Sequence, residues 1–325
     1  MAGDEGQARE VISFEELLRD TPRNWGRWGA DDEVGALNYL TPDVIAAAAS
    51  TVRQGKVFTL QVKMANPDGD PVWPSRAPAQ RAMVMDESRY SSGKFKASPG
   101  GQKYADDVLF FFPQGTTQYD ALGHAWYGDK IWNGYDETTT NGGLARASVL
   151  AIAERGVVGR GVLIDMARHR GKETLDKGEW FGLEDLLACA KAQGVTIKKH
   201  DILVIRTGFI GSFYRDKEAF YSKPFNEPGL AYSPELVQWF QDMEIPNLVT
   251  DTIANEVTID PVTGCWLILH MALMRDMGVV FTEIAWLDDL AADCAADGQY
   301  EFLYTAAPLK IVQGAGAPVN PVVIK

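Results

Sequence analysis

The chain has 325 residues, 46% of them hydrophobic and 10% aromatic, which is ample material for a packed core and too apolar for a disordered chain. Lys+Arg 31 against Asp+Glu 44 gives a net charge of -13, which repels a phosphate backbone and argues against nucleic-acid binding. Apolar runs such as 266–269 fall far short of the roughly 20 residues of a membrane helix, and residues 1–12 show no basic, apolar leader.

In chain order, Ser13-Phe-Glu-Glu16 is a capping box opening a short helix to about Arg19. Thr41-Pro42 starts a second helix through the alanines 46–49. Residues 57–63 alternate and predict a strand. The stretch 66–103, rich in Pro, Gly, Ser and Met, reads as long loops of the kind that cover a site or an oligomer interface. Val108 to Phe112 is an apolar run expected to enter the core as a strand. Short buried strands are expected at 161–165 and 201–206, with a helix from Leu183 to Gln193 closed by Gly194 between them. Ser233-Pro234 opens a helix through Trp239, and Asn247 leads a strand to Asp251. A helix over 265–277 ends at Gly278, followed by a strand at 279–284, a helix at 287–296 and strands in 301–313. Strands alternating with helices make the class α/β, and with no repeat or linker the chain reads as one domain.

The glycine clusters are expected to be turns. Gly156–Gly161 precedes a strand where a dinucleotide loop must follow one, and Gly314–Pro318 cannot open a helix. No nucleophile elbow is present. Cys189, Cys265 and Cys294 are scattered and odd in number, which fits a reducing cytoplasm and neither a disulfide framework nor a cysteine zinc site. Histidine chemistry must therefore come from His124, His169, His200 and His270.

The densest polar cluster is Gln114-Gly-Thr-Thr-Gln118-Tyr-Asp120-Ala-Leu-Gly-His124. Gln118 and Asp120, two apart, share a face of an extended chain, and His124 follows across a glycine. Such a set can bind a divalent ion, transfer a proton, or form a hydrogen-bonded loop. His270 sits in an apolar helix and Glu283 in an apolar run, where an unpaired carboxylate is costly and wants a metal, an arginine or a proton.

These residues resemble the signature of the cyclase family, which includes bacterial kynurenine formamidase, isatin hydrolase and trans-dienelactone hydrolase and whose motif reads H-x-G-T-H-x-D-x-P-x-H. Segments Gly161–Asp165, Asp201–Gly208 and Pro228–Leu230 and the series His270, Glu283, Asp288 agree in order, so the likeness spans about 30–325 and leaves 1–29 as an N-terminal extension. The resemblance implies a β-rich core flanked by helices. It also implies metal ligands at Asp120, His270 and Glu283, with His124 as acid/base. Glutamines stand at both motif histidines, Gln114 and Gln118, and Leu122 at the proline; longer members carry a similar glutamine before the aspartate. A D-x-x-x-x-E segment makes Asp251 and Glu256 further candidates. The charges of Asp120 and Glu283 balance one divalent ion, and with His270 nitrogen and Gln118 oxygen the set suits zinc or manganese.

The implied function is a metal-dependent hydrolase opening an amide, lactam or lactone of a small cyclic or aromatic substrate. Trp126, Tyr127 and Trp132, just after His124, read equally as one wall of the pocket or as core or interface packing. The resemblance also implies a homo-oligomer, dimer or tetramer. The alternatives are a lyase or isomerase acting on a polyketide-like or lactone substrate, and a non-catalytic small-molecule-binding member.

Overall fold

The computed structural model describes residues 12–325, so the leader reading of the first residues falls, except for its last position, outside them. Thirteen strands are present among the described residues: β1 (Val57–Thr59), β2 (Gln80–Met85), β3 (Asp106–Phe110), β4 (Gln118–Asp120), β5 (Val157–Asp165), β6 (Trp180–Phe181), β7 (Ile202–Arg206), β8 (Gly229–Leu230), β9 (Asn247–Thr250), β10 (Val280–Glu283), β11 (Glu301–Ala306), β12 (Gly316–Pro318) and β13 (Val322–Ile324). Nine of them form one sheet in the order β1-β13-β11-β5-β7-β9-β10-β4-β12. The centre, β5 through β10, is parallel, and both flanks are antiparallel. The fold is thus mixed α/β, a curled sheet flanked by helices.

The central strands are apolar because both of their faces are covered. β7 reads Ile-Leu-Val-Ile-Arg and is buried at every position. The helix Leu183–Gln193 runs over the expected residues, ends on Gly194 at φ 70, and buries Leu186, Cys189 and Ala190. The helix Pro234–Met243 is capped by Ser233, runs four residues past Trp239, and buries Leu236, Val237 and Phe240. Residues 12–29 pack back onto the body, where Asn24 Nδ2 donates to Met277 O at 3.1 Å and Trp25 Nε1 to Arg275 O at 3.0 Å.

Several elements differ from the sequence expectation. The 108–112 run does not enter the core: β3 pairs only with β2 in a surface ribbon, and Phe110 is 75% exposed. The 66–103 stretch is not all loop, since it holds β2 and the helix Glu87–Ser91. Gly159 and Gly161 lie inside β5, not in a turn. A Cβ at Gly161 would run into the Phe302 ring on the neighbouring strand, so glycine there makes room for an aromatic partner. The strand at 57–63 shortens to 57–59. The helix expected over 265–277 is a turn of π-helix, His270–Asp276, with Gly278 at φ 74 just beyond its end.

Candidate metal centre

β4 sets the site by alternation. Tyr119 points into the core, where its hydroxyl meets Asn247 and Tyr304 at 3.1 Å each. Gln118 and Asp120 therefore face the other side together, buried to 0% and 1% exposure. β10 runs antiparallel beside β4 and places Glu283 opposite Gln118. The amide of Gln118 donates to Glu283 Oε2 at 2.6 Å. On the other side of β4, Gly316 of β12 stands opposite Asp120. A Cβ there would lie 2.7 Å from Gln114 Nε2, so the missing side chain leaves space for Gln114 beside the aspartate.

His270 reaches the cluster from the π-helix. Glu256 holds it from behind, accepting from Leu269 N at 2.7 Å and from His270 N at 2.9 Å, and pairing with His270 Nδ1 at 2.7 Å. This clamp leaves Nε2 facing Glu283 Oε1 at 3.4 Å and Asp120 Oδ2 at 3.9 Å. His124 Nε2 lies 4.0 Å from Asp120 Oδ1, with its side chain 24% exposed. His124 is thus the open edge of an otherwise sealed cluster.

The cluster is acidic, buried and short of hydrogen-bond donors. Both oxygens of Asp120 and the Oε1 of Gln118 are buried without a hydrogen-bond partner. Leaving a buried carboxylate unpaired costs several kcal/mol or more. Burial pushes Glu283 above the usual carboxyl range and the Asp120 charge adds to it, with His270 opposing. Burial works against a charged His270, but its bond to Glu256 and the charge of Glu283 raise it to about 10. Ligand atoms of Asp120, His270 and Glu283 all lie within 4.8 Å of one another, and this trio fits a divalent ion. Burial lowers His124 below its ordinary 6.5; Asp120 opposes this, while His270 and Arg76 reinforce it.

The backbone near the site is strained. Asn255 and Ile284 adopt φ 57 and φ 56, next to Glu256 and Glu283 respectively. A β-branched residue there costs of order 1–3 kcal/mol, and such strain clusters at functional sites. Ile284 is held by donation to Thr252 O at 2.8 Å and by acceptance from Thr117 Oγ1 at 2.6 Å.

The structure brings together Gln118, Asp120, His270 and Glu283, with Gln114 and His124 beside them. Glu256 stands behind His270 and not in the ring of ligand atoms. Asp251 is not joined to the cluster: it accepts from Thr207 N and Oγ1 at 2.7 Å and from Gly208 N at 2.6 Å. The three aromatics read as pocket wall or as packing each have a partner. Trp132 is fully buried against Gly278, Tyr127 donates to Asp276 at 2.8 Å and lies under Arg275, and Trp126 donates to Glu137 at 2.9 Å. Sequence reasoning missed three residues. Asn255 Nδ2 lies 3.4 Å from Glu283 Oε1, and Glu227 is a fully buried acid that burial drives well above its ordinary value. Arg76, whose Nη1 donates to Gln114 O at 2.9 Å, sits in a stretch read only as loop. The one available signal for Glu227 was an acid in the apolar segment around 225–231.

The family described as "Putative cyclase" matches residues 40–257. A solved structure described as a novel cyclase is 34% identical, covers 94% of this chain and 100% of that one, and superposes with a TM-score of 0.84. Isatin hydrolase A from Ralstonia solanacearum is 19% identical, covers 88% of this chain and 98% of that one, and has a TM-score of 0.58. Isatin hydrolase A from Labrenzia aggregata, bound to benzyl benzoate, is 19% identical over 86% of this chain and 97% of that one, with a TM-score of 0.56. These two show a shared fold. No curated protein matches the chain.

Proposed function

The chain belongs to the cyclase family, and from that premise we propose that it is a metal-dependent hydrolase opening an amide, lactam or lactone of a small cyclic or aromatic substrate. The observation that carries this reading is the buried, unpartnered carboxylate of Asp120 within reach of His270 and Glu283. Asp120, Glu283 and His270 would hold one zinc or manganese ion, with Gln118 Oε1 as a neutral oxygen donor. When bound, such an ion acidifies water to a pKa of roughly 7 and polarises a carbonyl. The chain's residues do the rest. Glu256 fixes His270 so that Nε2 faces inward, the clamp that orients ligating histidines generally. Gln118 donates to Glu283 and holds its carboxylate towards the cluster. His124, kept neutral below its ordinary value and partly open to solvent, takes the proton of the attacking water and returns it to the leaving nitrogen or oxygen.

Metal analysis of the purified protein, followed by a screen of cyclic amides and lactones by mass spectrometry, tests the reading. About one divalent ion per chain and products heavier by one water are expected. A chain that takes up neither zinc nor manganese would defeat it, and a product of unchanged mass would replace hydrolysis with isomerisation.

A further inference from the structure

Residues 70–79 (Asp-Pro-Val-Trp-Pro-Ser-Arg-Ala-Pro-Ala) form a strap beside the site, stiffened by three prolines. Asp70, 2% exposed, closes the strap at both ends: its carboxylate accepts from Ala65 N and Asn66 N at 3.1 Å each and from Ala79 N at 2.9 Å. Tyr221 pins its middle, donating to Val72 O at 2.9 Å and accepting from Val72 N at 3.1 Å. A turn then brings Arg76 N to Trp73 O at 2.8 Å, so an indole and a guanidinium leave the same turn. The Trp73 ring stands edge-on to Phe225, 5.4 Å between centroids.

Arg76 is the unused part of this construction. One of its donors, Nη1, reaches Gln114 O at 2.9 Å, and Gln114 in turn fills the space beside Gly316, opposite Asp120. Among the described residues no carboxylate forms an ion pair with it, in a chain where acids outnumber bases by 44 to 31. A guanidinium carries five donors in a planar fork, and the partner matching that fork is a carboxylate held by two parallel bonds. The bond to Gln114 O sets the guanidinium beside the segment that leads into β4. With Asp70, whose carboxylate is spent on backbone donors, and Val72, Pro74, Pro78, Lys217 and Tyr221, it also lines an open cleft of about 330 Å³, so it is reachable from solvent. An acidic protein that admits an anion needs such a fixed cation near its site.

We propose that Arg76 is an anion-binding subsite and that the substrate carries a carboxylate of its own, separate from the carbonyl that is attacked, which the strap holds by its guanidinium. The proposal rests on the hydrolase reading for the word substrate and on the strap alone for the carboxylate.

Calorimetric titration of benzoate, with benzamide as its neutral isostere, tests this in the wild type, Arg76→Gln and Arg76→Lys, each loaded with manganese and each stripped by chelator. The wild type is expected to prefer benzoate by at least about tenfold in both states, the scale of a charge-assisted bidentate pair. Arg76→Gln should lose the preference and Arg76→Lys should keep part of it. Three results would overturn the proposal: no preference in the wild type, an undiminished preference in Arg76→Gln, or a preference that disappears with the metal, which would place the carboxylate on the ion instead. A chain that binds neither manganese nor zinc defeats the hydrolase reading alone, and the stripped titrations still decide the role of Arg76.

Discussion

Two clusters of buried charge flank β9, and they are finished differently. On the β7 side, Arg206 donates to Asp288 at 2.7 Å, to Asp165 at 2.9 Å and to Glu173 O at 3.1 Å, and Asp251 has three donors of its own. On the β10 side, Asp120 has none. The residue types are alike, and both clusters are made at strand ends where the chain turns. Burial alone therefore does not mark a functional acid. What separates the two is hydrogen bonding: the acids of the Arg206 cluster each accept from a donor, whereas both oxygens of Asp120 are left without one.

The largest expected effects follow from exchanging one charge in each cluster. Arg206→Met removes the countercharge of Asp165 and Asp288 and should cost about 3–5 kcal/mol in denaturant unfolding, the penalty for breaking a buried pair by one partner. Asp120→Asn should do the opposite to the metal-free fold, leaving it as stable or more so, because it relieves a carboxylate facing Glu283. The same variant should lose its metal and its turnover. Equal losses of stability in the two variants would erase the distinction drawn here. Next in size, His124→Ala should retain metal but lose roughly 10²–10⁴-fold in turnover, the scale of a positioned proton shuttle. Normal turnover in that variant at saturating metal would remove His124 from the chemistry.

How much of this the sequence displays depends on the physics behind each feature. The period of two in Gln118-Tyr-Asp120 is local, so the shared face of the two polar residues follows from the strand alone. The alternation of strands and helices is local too, and the helix Leu183–Gln193 is readable from its closing glycine. The Glu256 clamp is not readable, because it depends on Asn255 at φ 57 turning the chain back under His270. Nor does apolarity say which apolar run is buried: β3 carries Val108, Leu109 and Phe110 outward, whereas β7 carries a similar run through the core. Trp126, Tyr127 and Trp132 follow His124 closely in sequence, but the chain turns them towards Glu137, Asp276 and Gly278. Arg76 could not be found from spacing, since it meets the site through a strap tied by Asp70 and Tyr221 from distant parts of the chain.

A smaller effect tests the clamp itself. Glu256→Gln keeps the size and one acceptor of the side chain but removes the charge that His270 Nδ1 faces. Metal affinity should fall about 10–100-fold, as for outer partners of ligating histidines, while the circular dichroism spectrum stays that of the wild type. An unchanged affinity by competition with a chelating dye would show that Glu256 serves only to cap the turn at Leu269 and His270.

A further effect is the share of the pH dependence that the closed cluster contributes. Burial raises the carboxyl of Asp251 to about 6, although Arg206 and the donors of Thr207 oppose it. In the unfolded chain the same group titrates near 3.8. Between these values the folded protein holds more protons than the unfolded one, so this group makes stability fall as pH rises from about 4 to about 6. Its contribution is complete below the unfolded value and gone above the folded one, a change of about 3 kcal/mol in all. Asp251→Asn should lose this group's share of the dependence, so its unfolding free energy should fall less than that of the wild type between pH 4.5 and pH 7 (two conditions chosen to bracket the transition at about 6). If the wild type gains stability over that window while Asp251→Asn shows the same gain, then Arg206 and the three donors keep Asp251 ionised throughout. The closed cluster would then be complete without a proton, and its contrast with the Asp120 cluster would be sharper still.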